Sequence, residues 1–340
     1  MPEHSFAPIT GSIERIVVDS DLLRNRLGDP TEREVIIHIP KQGLEMIQQG
    51  KHLPVMIYLA PFTSSGLARA GWKAFAETLP QRHERLVSQG KMLPTILVMP
   101  DCFTSLGGNQ FVDSSIMGEW SSWLNKSLKP AISMRYPTNG RFALFGKSSG
   151  GFGALHNAIH HPNEWHAIAS HSGDVGFDVL YRADFPTTAT QINQQGNLND
   201  FLAHVKTCSK LNSDDFHALM ICAMAASYDS ITNISDGFGI RLPFDLNTCQ
   251  IDETIWKQWL TFDPLYSIKQ NQNSLKKLDF LYIDCGNKDQ YGIQYGSRIL
   301  IKSLQEYGIS HHWEEFEGTH SGIEYRLDIS MPLLAEALHI

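Results

Sequence analysis

Nowhere in these 340 residues is there an uninterrupted apolar run long enough to span a bilayer, which speaks against a membrane-crossing helix. Residues 1–15 show no basic segment leading into an apolar one, so no secretory leader is expected. Positive charge is scarce: 28 Lys and Arg stand against 36 Asp and Glu, the formal net charge is -8, and no basic cluster exceeds a pair. Nucleic acid and anionic membrane surfaces both demand a concentrated basic footprint, so neither is an expected partner. Cysteine is equally sparse. Cys102, Cys208, Cys222, Cys249 and Cys285 form an odd, widely separated set with no CxxC and no Cys/His pairing at metal-ligand spacing. That argues against a disulfide framework or a zinc site and fits reduced thiols in a soluble, cytoplasmic protein.

What is present is apolar material, 42% of the chain, enough for one large core. A single domain over 1–340 with an insertion is the expectation. Short β-branched runs recur at Arg15 to Val18, Val35 to Ile39, Val55 to Leu59, Thr95 to Met99, Phe142 to Phe145, Ala167 to Ser170 and Phe280 to Ile283. Most are bounded by Pro, Gly or Asp and read as buried strands. Helical spacing joins Trp72, Phe75, Ala76 and Leu79, then Trp120, Trp123, Leu124 and Leu128, then Ile299, Leu300, Leu304 and Tyr307. Such alternation predicts an α/β fold, a mostly parallel sheet with helices on both faces. The first two runs can instead pair as an antiparallel hairpin at one edge. From about 175 to about 259 the alternation stops, and a helical, lid-like insertion is predicted there, with Ser213 as one helix cap. Ile268 to Leu275 is polar and reads as an exposed loop.

The run Phe142 to Phe145 leads straight into Gly146-Lys147-Ser148-Ser149-Gly150-Gly151, followed by a helix-compatible stretch to His160. This is GxSxG at a strand-to-helix turn, with Ser148 as candidate nucleophile. The turn must be tight enough that side chains at 146 and 150 would strike neighbouring backbone, hence glycine at both. The helix that follows would aim its N-terminus at a developing oxyanion, with the Ser149 amide as one donor. Centring the motif on Ser149 would put Lys147 where glycine is needed.

In this arrangement an acid and then a histidine follow the serine along the chain, on loops after late strands. The run ending at Ile283 empties into Asp284-Cys285-Gly286-Asn287-Lys288-Asp289, where Asp284 and Asp289 compete and spacing leaves them nearly even. Alternating His311 to Glu317 reads as the last strand, and it delivers His320 in a Gly-flanked loop as candidate base. His171 is the rival histidine. The loop Ala60 to Gly66, after the run ending at Leu59, would supply the second oxyanion donor through Phe62 or Thr63.

These segments resemble the putative esterase family of α/β hydrolases, which includes enterochelin esterases, S-formylglutathione hydrolases, feruloyl esterases and mycolyltransferases. Matching pieces are Val55 to Gly66, Met99 to Phe103, Gly118-Glu119-Trp120, Gly146 to Leu155, His171-Ser172-Gly173, and Glu317 to Ser321 around His320. Asp284 to Asp289 is similar to the family's DxGxxD segment, whose second aspartate serves the triad; the resemblance therefore favours Asp289. The position of Phe62 matches the family's oxyanion donor. Two departures are an Ala-Pro-Phe oxyanion loop where relatives often carry His-Gly or Ser-Gly, and a long insertion after Gly173. No Arg and Trp cluster suited to a ferric catecholate is present.

The expectation is a serine esterase acting on a small-molecule ester or thioester through Ser148, His320 and Asp289, with Phe62 and Ser149 as oxyanion donors and no metal or organic cofactor. A homo-oligomer is compatible with the sequence. An acyltransferase using the same residues, or a binding module retaining them, are the alternatives. Phe177, Phe185, Phe201, Phe216, Met220 and Met224 are candidates to roof an acyl pocket, set against the simpler reading that most form the insertion's own core.

Overall fold

The computed structural model describes residues 6, 8–229 and 236–339. Among the described residues ten strands form: β1 (Ser12–Val18), β2 (Arg33–Ile39), β3 (Leu53–Leu59), β4 (Ile96–Pro100), β5 (Asp113–Ser114), β6 (Gly118–Glu119), β7 (Thr138–Lys147), β8 (Ala167–His171), β9 (Phe280–Gly286) and β10 (His312–Phe316). Strands β5 and β6 make a separate small hairpin. The other eight build one sheet in the order β1-β2-β4-β3-β7-β8-β9-β10. From β4 to β10 every neighbouring pair is parallel, and β2 is antiparallel to both β1 and β4. The predicted mostly parallel sheet and its edge hairpin are therefore both present.

Alternation along the central strands divides the core into two layers. Val55, Ile57 and Leu59 of β3, with Phe142 and Leu144 of β7, face one layer. Met56 and Tyr58, with Ala143 and Phe145, face the other. Helices Ser149–His160 and Ile293–Glu306 cover the first layer, and helices Leu79–Ser88 and Leu327–Leu338 cover the second. Burial on both faces is why these strands read as continuous apolar runs.

Between β8 and β9 the described residues form the helices Phe177–Leu180, Phe185–Gln195, Leu198–Thr207, Ser213–Tyr228, Glu253–Leu260, Pro264–Gln270 and Gln272–Leu275. Residues 230–235 of the expected insertion lie outside the described residues.

Three local expectations are corrected. The spacing of Trp72, Phe75 and Ala76 is not a helix: Phe75 is 99% exposed, and the helix starts at Leu79. Thr78 and Gln81 form a reciprocal capping box with Pro80 in the first turn, so the chain cannot be helical through it. The segment Ile268 to Leu275 is not an exposed loop. Ile268 to Gln270 close the helix Pro264–Gln270, which Asp263 caps and Pro264 begins, and Gln272–Leu275 form a further helical turn, with Ile268 and Leu275 buried. The cap of helix Ser213–Tyr228 is Asn212, whose side chain accepts from the Asp215 amide, rather than Ser213.

Candidate active site

Register brings the carboxyl ends of five strands to one edge. Leu59 sits opposite Gly146, Lys147 opposite His171, His171 opposite Asp284, and Gly286 opposite Phe316. Within four residues of those ends stand Phe62, Ser148, Asp174, Asp289 and His320. In parallel sheets this carboxyl edge is where ligands are bound.

Ser148 occupies a strained backbone well, φ 56 and ψ -126, between β7 and the helix Ser149–His160. Non-glycine residues rarely adopt such geometry, and surrounding contacts must enforce it. The Ser148 amide donates to the His171 carbonyl at 3.0 Å, and its own carbonyl accepts from the Phe152 amide at 2.8 Å. A Cβ on Gly146 would lie 2.4 Å from the Leu59 carbonyl oxygen, and one on Gly150 only 2.0 Å from the same atom. The turn therefore closes only with glycine at both positions. The Ser149 hydroxyl is buried and accepts from Gln110 Nε2 at 2.7 Å, which ties that side chain down.

His320 is buried, and its Nδ1 lies 2.7 Å from Asp289 Oδ2. The Asp289 carboxylate also accepts from the Tyr291 amide at 2.9 Å, and the Tyr291 ring stands edge-on to the imidazole at 4.9 Å. The His320 amide donates to Gln290 Oε1, fixing the loop that carries the ring.

The rival pair is held elsewhere. His171 Nδ1 lies 2.8 Å from Asp284 Oδ1, and its Nε2 lies 2.9 Å from the Ser330 hydroxyl. Asp284 further accepts from Arg326 and the Tyr282 hydroxyl, all deep in the structure. Burial acts to raise the Asp284 carboxyl, but His171 and Arg326 outweigh it and hold it below the usual range. Neither His171 nor Asp284 lines the cavity at Ser148.

That cavity, about 140 Å³, is lined by residues including Phe62, Ser148, Ser149, Asp174, Tyr181 and His320. Ser148 and His320 face it together, although the serine hydroxyl donates to Asp174 Oδ1 at 3.3 Å and makes no hydrogen bond to His320. Thr63 spends its amide on the Gly107 carbonyl at 2.6 Å. That leaves the Phe62 amide, together with the Ser149 amide at the start of the helix, where intrahelical partners are lacking. A larger groove of about 640 Å³ lies at the other end of the helix, beside His156, His160 and His161. It is roughly 16 Å along the axis from Ser149 and holds none of these groups.

Of the six residues considered for the roof, Phe216 and Met220 line the cavity. Phe177, Phe185, Phe201 and Met224 are fully packed in the core. Sequence reasoning missed Asp174 and Tyr181. The available signal was a carboxylate directly after His171-Ser172-Gly173, in a segment otherwise apolar and leaving the carboxyl end of a strand.

A family model described as "Putative esterase" matches residues 30–332. No curated protein matches the sequence. Among solved structures, one described as a ferulic acid esterase is 14% identical, with 97% of this chain and 100% of that chain covered and a TM-score of 0.60. An S-formylglutathione hydrolase from Agrobacterium tumefaciens is 14% identical, covering 98% of this chain and 97% of that chain at a TM-score of 0.59. An enterochelin esterase from Shigella flexneri is 14% identical, covering 95% of this chain and 57% of that chain at a TM-score of 0.51. At such identities the structural likeness speaks for the fold, which is that of the α/β hydrolases.

Proposed function

Because the chain belongs to the putative esterase family, we propose that it is a serine esterase cleaving a small-molecule ester or thioester, with Ser148 as nucleophile, His320 as base and Asp289 as the acid that orients the base. The observation that carries this is the meeting of Ser148, on its strained turn, and His320, held by Asp289, in one cavity.

Rotation of the Ser148 side chain away from Asp174 turns its hydroxyl toward His320 Nε2. Asp289 fixes the tautomer in which Nδ1 carries the proton and Nε2 is free to accept. His320 takes the hydroxyl proton as Ser148 Oγ attacks the carbonyl carbon. The Phe62 and Ser149 amides receive the oxyanion, each contributing on the order of 3 kcal/mol. His320 then gives its proton to the leaving alcohol or thiol, and water repeats the sequence on the acyl-enzyme. Asp289 remains ionised throughout.

The whole chain is read as one α/β-hydrolase domain whose insertion roofs the acyl site through Phe216 and Met220. No helix among the described residues is long and apolar enough to cross a membrane, and five unpaired cysteines support action in a reducing cytoplasm. The test is labelling with a fluorophosphonate followed by peptide mapping. Modification at Ser148, lost in His320→Ala, is expected; a folded protein that takes no label would overturn the assignment.

A further inference from the structure

The carboxyl group that meets Ser148 is not the one that holds His320. Asp174 is 4% exposed, accepts the Ser148 hydroxyl on Oδ1 and accepts the Tyr181 hydroxyl on Oδ2 at 2.9 Å. Among the described residues it has no ion-pair partner. The charged and titratable groups around it are Tyr181, with Tyr228 behind it at 3.4 Å, Tyr291 and His320 lining the same cavity, Asp289 behind His320, and Asp263 near Tyr228. Lys147 also lines the cavity, but its charge is set against Glu324, Arg69 and Asp289. Burial, only partly offset by Tyr181, His320 and Ser148, pushes Asp174 up to about 6.

An ionised, unpaired carboxylate here works against the reaction twice. It opposes the negative charge that develops on the carbonyl oxygen, and it holds the serine hydroxyl away from His320. Both effects vanish when a positive charge rests against it. Phe62, Tyr181, Phe216 and Tyr291 line the same space, and aromatic faces attract cations. At about 140 Å³ the cavity is close in size to one that accepts a benzene-sized group. A short ammonium-bearing group fits; a bulky one does not.

We propose that Asp174, with Tyr181, Tyr291 and Phe216, forms a subsite for a protonated amine carried by the ester substrate. The inference rests on the esterase reading above. The ammonium donates to Asp174 Oδ1 in place of Ser148, and the freed hydroxyl turns to His320. Esters with an amine are thereby selected, and esters bearing a second carboxylate are rejected.

The experiment compares kcat/KM within two matched pairs. On the acyl side, p-nitrophenyl 3-aminopropanoate and p-nitrophenyl butanoate differ only in an ammonium against a methyl group. On the alcohol side, 2-(dimethylammonio)ethyl acetate, which keeps one N–H, is set against 3-methylbutyl acetate. At about pH 8 one pair should favour the cation on the order of tenfold to a hundredfold, as charged hydrogen bonds and ion contacts allow. Which pair responds identifies the side that carries the amine. The preference should collapse toward unity in Asp174→Asn, with folding checked by circular dichroism. It should also shrink in the native enzyme as the pH is taken to about 5, where a carboxyl near 6 becomes protonated. Because the ratio is taken at each pH, any pH dependence common to both substrates cancels. Should the variant not fold, the native pH series decides alone. No cationic preference in either pair, or one that persists unchanged at acid pH, overturns the subsite. Hydrolysis of no substrate faster than by Ser148→Ala overturns the esterase reading itself, and the subsite with it.

Discussion

His320 Nδ1 lies 2.7 Å from Asp289 Oδ2, whereas the second histidine-aspartate pair, His171 with Asp284, is locked beneath Arg326 and Ser330 away from the cavity. The two pairs look alike in sequence and should separate cleanly by mutation. Asp289→Asn should lower kcat by roughly 10⁴ while leaving thermal unfolding nearly unchanged, since it disturbs the tautomer of His320. Asp284→Asn should do the reverse. It takes the charge partner from buried His171 and leaves Arg326 with Glu314 alone, and should cost about 3 kcal/mol of stability, with turnover per folded molecule preserved. Equal catalytic losses in the two variants would contradict the assignment.

The same Asp284 network predicts an acid limb of stability. His171 and Arg326 hold its carboxyl below the usual range against the effect of burial. A carboxyl depressed in the folded state stabilises it above the unfolded pKa, about 3.9, and that stabilisation is lost as the pH falls through the lower folded value. Urea unfolding followed from about pH 5 to about pH 2 should show a stability loss that is smaller in Asp284→Asn.

Asp174 has the opposite sign. Its folded value of about 6 lies above the ordinary carboxyl value of 3.8, so the folded state carries full stability below the latter and loses some as the pH rises to the former. At about 1.4 kcal/mol for each pH unit between them, ionisation costs the folded protein roughly 3 kcal/mol. Asp174→Asn should therefore raise Tm at about pH 8 and gain little at about pH 4. A variant less stable at alkaline than at acid pH, relative to the native protein, would speak against a buried, unpaired carboxylate.

Glycine at 150 is required by geometry rather than flexibility, since an added Cβ would lie 2.0 Å from the Leu59 carbonyl oxygen. Gly150→Ala must push β3 away from the turn. A destabilisation of about 3 kcal/mol, the upper end of what forced overpacking costs, is expected, together with lost fluorophosphonate labelling at Ser148. Gly140→Ala, at a position with nothing within 4 Å of an added Cβ but a φ of 79, should cost less and leave labelling intact.

Much of this was legible in the sequence because several signals agreed. Val55 to Leu59 and Phe142 to Phe145 are apolar on both faces, which only a doubly covered sheet satisfies. The glycines at 146 and 150 announced the turn at Ser148 because nothing larger fits. Periodicity misled where no core lay beneath it: Trp72 and Phe75 are helically spaced yet exposed, and the stronger signals were the Thr78 cap and Pro80. Capping likewise outweighed composition at Pro264, where Asp263 starts a helix through residues that look merely polar. The contact between Asp174 and Ser148 was beyond reach from spacing, because it depends on how the ends of β7 and β8 align.

The central claim is that Ser148 is the nucleophile of an esterase. Hydrolysis of p-nitrophenyl esters from acetate to decanoate, compared between the native protein and folded Ser148→Ala, tests it most directly. Activity should concentrate on short acyl chains, as a cavity of about 140 Å³ requires, and removing the hydroxyl should lower kcat on the order of 10⁶-fold. Equal rates in the two proteins, or no hydrolysis by either, would contradict it.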